Sequence, residues 1–173
     1  MPGNVKTHEI LKNLRWLVGK WKSVSAVANY PTMKSPVEYT ETLEFRSEGQ
    51  PLLNYFSVTR NPKNGSVMHL ECGYLRIDDD EKTVAFLTAQ NFGLSTLEEG
   101  YVEDKTMIVG TACIGIMKFA KQTVLGLHRC YRLNENGRLE YCAMMETPQT
   151  PPVVHITAVY EKSQCDAAEP DKH

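Results

Sequence analysis

The sequence lacks any long hydrophobic run. None approaches the roughly 20 apolar residues of a membrane-spanning helix, so no transmembrane helix is expected. It also lacks a charge imbalance: 19 basic and 21 acidic residues leave a net charge of −2, which argues against a nucleic-acid-binding face or a polybasic membrane anchor. The five cysteines, Cys72, Cys113, Cys130, Cys142 and Cys165, lie far apart with no Cys-x-x-Cys pair. An odd count, with no apolar signal core after Met1-Pro2-Gly3-Asn4-Val5-Lys6, points to reduced thiols and a cytoplasmic location, the nucleus remaining open. Several cysteines stand between apolar residues and are expected to be small core fillers. There is no phosphate-binding glycine loop, no Gly-x-Ser-x-Gly and no His-Glu-x-x-His. With one histidine per candidate strand and no clustered carboxylates, a multi-ligand metal site would have to be assembled across strands.

What the chain does contain is a two-residue period. Thr7 to Val18 reads as one amphipathic helix, with Ile10, Leu11, Leu14 and Leu17 on one side, Thr7 as cap and Gly19 as stop. Beyond it, alternation predicts strands at Lys20–Ala28, Val37–Ser47, Leu52–Arg60, Ser66–Ile77, Thr83–Gln90, Gly93–Glu103, Thr106–Ile116, Thr123–Leu133, Leu139–Glu146 and Val153–Lys162. Turn signals such as Asn61-Pro62-Lys63-Asn64-Gly65 and Asn134-Glu135-Asn136-Gly137 separate most of them. Ten short strands joined by hairpins suggest a closed antiparallel meander, since closure removes the exposed edges. The expected fold is all-β: a ten-stranded up-and-down barrel, lipocalin- or fatty-acid-binding-like, with a short N-terminal helix. Residues 1–163 are expected to form this single domain, and the polar stretch 164–173 a disordered tail. Strands with apolar residues on both faces, such as Val67-Met68-His69-Leu70, fit a hollow interior and equally an ordinary two-layer core.

Candidate site residues follow from what sits badly in such a wall. Thr150-Pro151-Pro152-Val153-Val154-His155-Ile156-Thr157-Ala158-Val159-Tyr160 carries one histidine in a β-branched run. A neutral imidazole there needs partners for both ring nitrogens, and it suits a metal or haem iron as well as a backbone carbonyl. His69 is the second histidine in an apolar strand. Alternation sends it and Met68 to opposite faces, so both can reach one cavity only through a bulge. The loop Tyr30-Pro31-Thr32-Met33-Lys34-Ser35-Pro36 could present Thr32 and Lys34 over a pocket mouth, or be plain surface. Gly19-Lys20-Trp21 is expected to plug one barrel end with an indole. Arg129-Cys130-Tyr131 resembles the Arg-x-Tyr pair of fatty-acid-binding barrels, but its position favours solvent-facing charge. An organic cofactor that brings its own metal and needs one protein ligand fits this inventory best.

In their order, Trp16-Leu17-Val18-Gly19-Lys20-Trp21, Tyr30-Pro31-Thr32, Gly49-Gln50-Pro51-Leu52-Leu53-Asn54, Met68-His69-Leu70-Glu71-Cys72-Gly73-Tyr74-Leu75-Arg76, Ala89-Gln90-Asn91-Phe92-Gly93, Glu98-Glu99-Gly100 and His155 before Tyr160 resemble the nitrobindins. These are ferric haem-binding β-barrels, found alone or as the C-terminal domain of an animal THAP-type zinc-finger protein. The resemblance spans Leu14 to Lys162. It implies one non-covalent haem b per chain, with His155 as proximal iron ligand and so the catalytic residue through the iron. It further implies Thr32 as a haem contact of the mouth loop, and His69 and Met68 beside the haem's open side. The implied activities are nitric oxide binding and isomerisation of peroxynitrite to nitrate. The implied partners are those small molecules, with neither nucleic acid nor membrane, a homodimer remaining open. Ser23 departs from the family's glycine motif, and no zinc-finger region is present, so a DNA-linked role does not carry over. Two alternatives stay open: a carrier of fatty acids or other lipophiles, which expects Arg129 or Tyr131 to point inward at a carboxylate, and a nitric oxide sensor without turnover.

Overall fold

In a computed structural model, which describes residues 6–120 and 122–163, alternation does produce a closed wall. The strands are β1 (Gly19–Ala28), β2 (Val37–Glu38), β3 (Thr40–Arg46), β4 (Leu52–Arg60), β5 (Val67–Ile77), β6 (Thr83–Gln90), β7 (Leu94–Glu103), β8 (Thr106–Ile116), β9 (Gly126–Leu133), β10 (Leu139–Thr147) and β11 (Thr150–Lys162). Each pairs antiparallel with its neighbours, and β11 closes the circuit on β1 from Trp21↔Lys162 to Ala28↔Ile156. The expected strand Val37–Ser47 is broken at Tyr39, whose N–H donates to the Ala26 carbonyl at 3.1 Å. Counting β2 and β3 as one broken strand, the wall is a ten-stranded barrel. The expected strand from Thr123 begins only at Gly126, because Val124 packs into an apolar cluster with Tyr30, Leu94, Leu127 and Met145. The expected tail, 164–173, lies outside the described residues.

The helix is 3₁₀, Glu9–Leu17, capped by the His8 side chain rather than Thr7. Its buried residues, Leu11, Leu14 and Leu17, are three apart, which is the 3₁₀ period, so they line up on one side. They join Trp21, Phe45, Leu53, Leu75, Ile77, Val84 and Phe86 in the core at that end of the barrel. Gly19 turns with φ 133°, a conformation that favours glycine, and Trp21 Nε1–H then donates to the Leu17 carbonyl at 2.8 Å, sealing the end as expected.

Moving away from the helix, the inward face changes character on three strands alike. On β5 it runs Ile77, Leu75, then Glu71 and His69; on β7 Val102, then Glu98, Thr96 and Leu94; on β9 Tyr131, Arg129, Leu127. The barrel is therefore solid at the helix end, polar at mid-height and hollow at the other. Among the described residues no cysteine is a core filler: Cys72 and Cys113 are exposed, and Cys130 and Cys142 are half-exposed on the outer wall, the face that strand alternation gives them.

Candidate functional site

The hollow end is a cavity of about 790 Å³, within the roughly 300–1,000 Å³ usual for small-molecule and cofactor sites. Leu94, Val124, Leu127 and Met145 give it apolar walls, Phe92 and Phe119 stand at its exposed rim, and Arg129, Glu71 and Tyr141 form its floor. Of the expected site residues, His155, His69 and Met68 all line it. Thr32 does not; it is exposed in the turn after Tyr30. The loop reaches the site through Tyr30 instead, whose ring sits edge-on to His155 at 5.2 Å between centroids and whose hydroxyl donates to the Met145 carbonyl at 3.2 Å.

Both histidines arrive by the same device. On β4–β5 the register passes from Thr59↔His69 to Arg60↔Val67, leaving Met68 as an extra residue. That bulge lets Met68 and His69 face one cavity. On β10–β11 it passes from Ala143↔Ile156 to Met144↔Val154, leaving His155 extra, and again both His155 and Ile156 line the cavity. Strands β1, β3 and β4 separate β11 from β5 on the shorter way round, so the two imidazoles look into the cavity from different sides.

Their protonation follows from their partners. His155 Nδ1 lies 3.1 Å from the Asn29 carbonyl oxygen, which can only accept, so Nδ1 carries the proton and Nε2 keeps its lone pair. Burial lowers the His155 pKa, partly offset by that carbonyl. The ring is thus neutral, oriented by an outer hydrogen bond, and has one nitrogen to give: the arrangement a metal-ligating histidine requires. His69 stacks on Phe92 at 4.8 Å, and its Nε2 is buried without a hydrogen-bond partner. Burial, then repulsion from Arg129, lowers its pKa to about 4. An orphaned buried nitrogen and an oriented, unprotonated one, facing the same largely apolar space, fit a haem-sized group and leave a filled core unexplained.

The floor corrects the expectation for Arg129. It is 4% exposed and points inward, as does Tyr131. Its Nη1 is 2.7 Å from Glu71 and its Nε 2.9 Å from Glu98, which are 5% and 0% exposed. A buried guanidinium needs such pairing, and here two carboxylates supply it. The inward arginine that a fatty-acid carrier would use is therefore already occupied, and a lipid carboxylate would add a third negative charge. Sequence reasoning also missed Asn29, whose role is carried by a backbone carbonyl and leaves no side-chain signal.

Over residues 10–162 the chain matches the family described as "THAP4-like, heme-binding beta-barrel domain". It is 35% identical over 159 residues to a Rattus norvegicus protein named "Peroxynitrite isomerase THAP4", covering 91% of this chain and 28% of that one. The chain thus spans little more than a quarter of that relative's length. It is 30% identical over 161 residues to "Peroxynitrite isomerase 2" of Mycobacterium avium, covering 91% of this chain and 97% of that one. The crystal structure of Rv2717c from M. tuberculosis superimposes with a TM-score of 0.82 at 30% identity, over 92% of this chain and 100% of that one. A closed barrel, hollow at one end and offering an oriented imidazole there, agrees with these matches, and the chain belongs to the THAP4-like haem-binding β-barrel domain family.

Proposed function

We propose that the chain holds one haem b non-covalently, with His155 as proximal ligand, and isomerises peroxynitrite to nitrate in the cytoplasm. The observation that carries this reading is His155 itself: Nδ1 committed to Asn29, Nε2 uncommitted, on the wall of a cavity of about 790 Å³. Relatives bearing the name peroxynitrite isomerase, one of them matched over nearly its whole length, support the activity. When bound, the haem supplies a Lewis-acidic ferric iron at which peroxynitrite can rearrange.

The chain's own residues do the rest. The Asn29 carbonyl fixes the His155 tautomer, and the Tyr30 edge restrains its ring. Leu94, Val124, Leu127 and Met145 give the cavity apolar walls that would keep water from a porphyrin held there. His69, kept neutral at pH 7, brings no positive charge to the cavity, and Met68 lines it beside His69. Thr32, exposed in the turn after Tyr30 and outside the cavity lining, would meet at most the outer edge of a haem at the mouth. The same open side accommodates nitric oxide, which needs no donor.

Adding haem to the purified chain should produce a Soret band saturating at one equivalent, and peroxynitrite decay in the loaded protein should raise the nitrate yield. No Soret change on haem addition would end the cofactor assignment; unchanged nitrate yield would end the enzymatic one. Haem affinity should be level from pH 8 to about 6.5 and fall below that. Only the neutral ring offers Nε2, and a lowered pKa keeps it neutral to lower pH than an ordinary imidazole. An affinity already falling between pH 8 and 7, followed by the Soret band, would contradict this. His69→Leu should retain haem and change the rates of nitric oxide binding and release, read by stopped-flow absorbance; complete haem loss would show that the two histidines had been assigned the wrong way round.

A further inference from the structure

On the outside of the same wall, Cys130 of β9 and Cys142 of β10 are directly opposed. The hairpin between them closes with the Asn134 N–H on the Arg138 carbonyl at 2.9 Å, and the ladder alternates from there. Cys130–Cys142 is therefore a hydrogen-bonded pair, with Cα atoms about 5.5 Å apart. That lies inside the roughly 4.4–6.8 Å a disulfide spans. Side chains of outward pairs on this ladder do meet: in the next one, Arg132 Nε donates to Glu140 Oε2 at 3.0 Å. Both thiols are free and half-exposed, and Cys142 is close enough to disfavour ionisation of Cys130.

We propose that Cys130 and Cys142 form a reversible thiol–disulfide pair, oxidised by hydroperoxide-class oxidants, of which peroxynitrous acid is the one the proposed activity meets. One thiolate attacks the terminal peroxide oxygen, the O–O bond breaks and nitrite leaves. The second thiolate attacks the resulting sulfenic sulfur, and water leaves. In total two thiols and one peroxynitrous acid give one disulfide, one nitrous acid and one water; the sulfurs are oxidised by two electrons and the peroxide reduced by two. Opposed Cβ atoms in a hydrogen-bonded pair start further apart than a relaxed disulfide allows, so the bridge pulls the strands together and is readily reduced. In a reducing compartment it forms under oxidant load and clears afterwards. Burial raises the Cys130 pKa, so its thiolate is scarce at neutral pH and the pair responds to a sustained oxidant load rather than to traces.

The proposal depends on the isomerase reading only for the identity of its oxidant, and hydrogen peroxide tests it separately. The full-length, haem-loaded chain is treated with one equivalent of peroxynitrite or of hydrogen peroxide, alkylated, and digested with trypsin without reduction. Cleavage after Arg129, Arg132 and Arg138 separates the two cysteines, so a bridge joins peptide Cys130–Arg132 to peptide Leu139–Lys162. That linked species is expected with either oxidant and should vanish on adding dithiothreitol and in Cys142→Ser. A link with hydrogen peroxide alone would uphold the pair and count against peroxynitrite as its oxidant. Links to Cys72, Cys113 or Cys165 instead, or sulfinic acid at Cys130 with no link in the unsubstituted chain, would overturn it.

Discussion

His155→Leu is expected to weaken haem binding by more than about a hundred-fold, beyond the roughly 10–100-fold that follows loss of an outer-shell partner. The leucine fills the imidazole's place with a side chain of similar size but offers no lone pair to iron. Folding should hardly change. His155 is only half-buried, and the Asn29 carbonyl that loses its donor belongs to an exposed residue that water can reach, so the cost is at most about 1 kcal/mol. Haem titration followed at the Soret band, with urea unfolding of the haem-free protein beside it, separates the two effects. A variant that fails to fold would leave the ligand role without support, whereas a folded variant with wild-type haem affinity would refute it.

The second large effect is structural. Arg129→Met is expected to destabilise the barrel by about 3–5 kcal/mol at pH 7, because it leaves Glu71 and Glu98 buried without their cation. That is a sizeable part of the roughly 5–15 kcal/mol that holds a domain together. The loss should shrink as the pH falls towards 5. Burial already raises the Glu98 pKa against the pull of Arg129, and removing the arginine raises it further. The folded state then binds protons over a range where the unfolded chain, with glutamates near 4.3, does not, so stability rises as pH falls. Urea midpoints at both pH values test the sign. A loss below about 1 kcal/mol, or one that grows on acidification, would show that the guanidinium does not neutralise this floor.

Much of the wall could be read in advance because alternation is a local signal. Strands β4, β6 and β8 have the bounds their periodicity predicts, and Gly49, Gly65 and Gly93 stand at positive φ in the turns that flank β4 and follow β6. What escaped depends on partners elsewhere in the chain. The break at Tyr39 follows from the bond its N–H makes to Ala26, and nothing in Val37-Glu38-Tyr39-Thr40 announces it. A 3.6 period predicts the helix, although Leu11, Leu14 and Leu17 also fit a period of three, and so short a segment cannot distinguish the two.

The site divides in the same way. His155 and His69 stood out because imidazole is an odd filler for an apolar strand, and the bulge needed to bring Met68 and His69 to one side is present. A charge in a strand ordinarily faces water, and Arg129 departs from that expectation. Yet Leu127, Arg129 and Tyr131 share a face, and Glu71 and Glu98 share their inward faces with His69 and Thr96. Opposite charges recurring on faces otherwise apolar or aromatic were the available sign that the barrel neutralises them internally.

The most direct test of the central claim is chemical rescue of His155→Gly, which replaces the tethered imidazole with a gap of its own shape. Without added imidazole this variant should bind haem weakly and with an altered Soret band; with imidazole supplied in solution, both affinity and band position should return towards those of the unsubstituted chain. A His155→Gly protein that takes up haem tightly, with an unchanged spectrum and no response to imidazole, would mean that another group holds the iron.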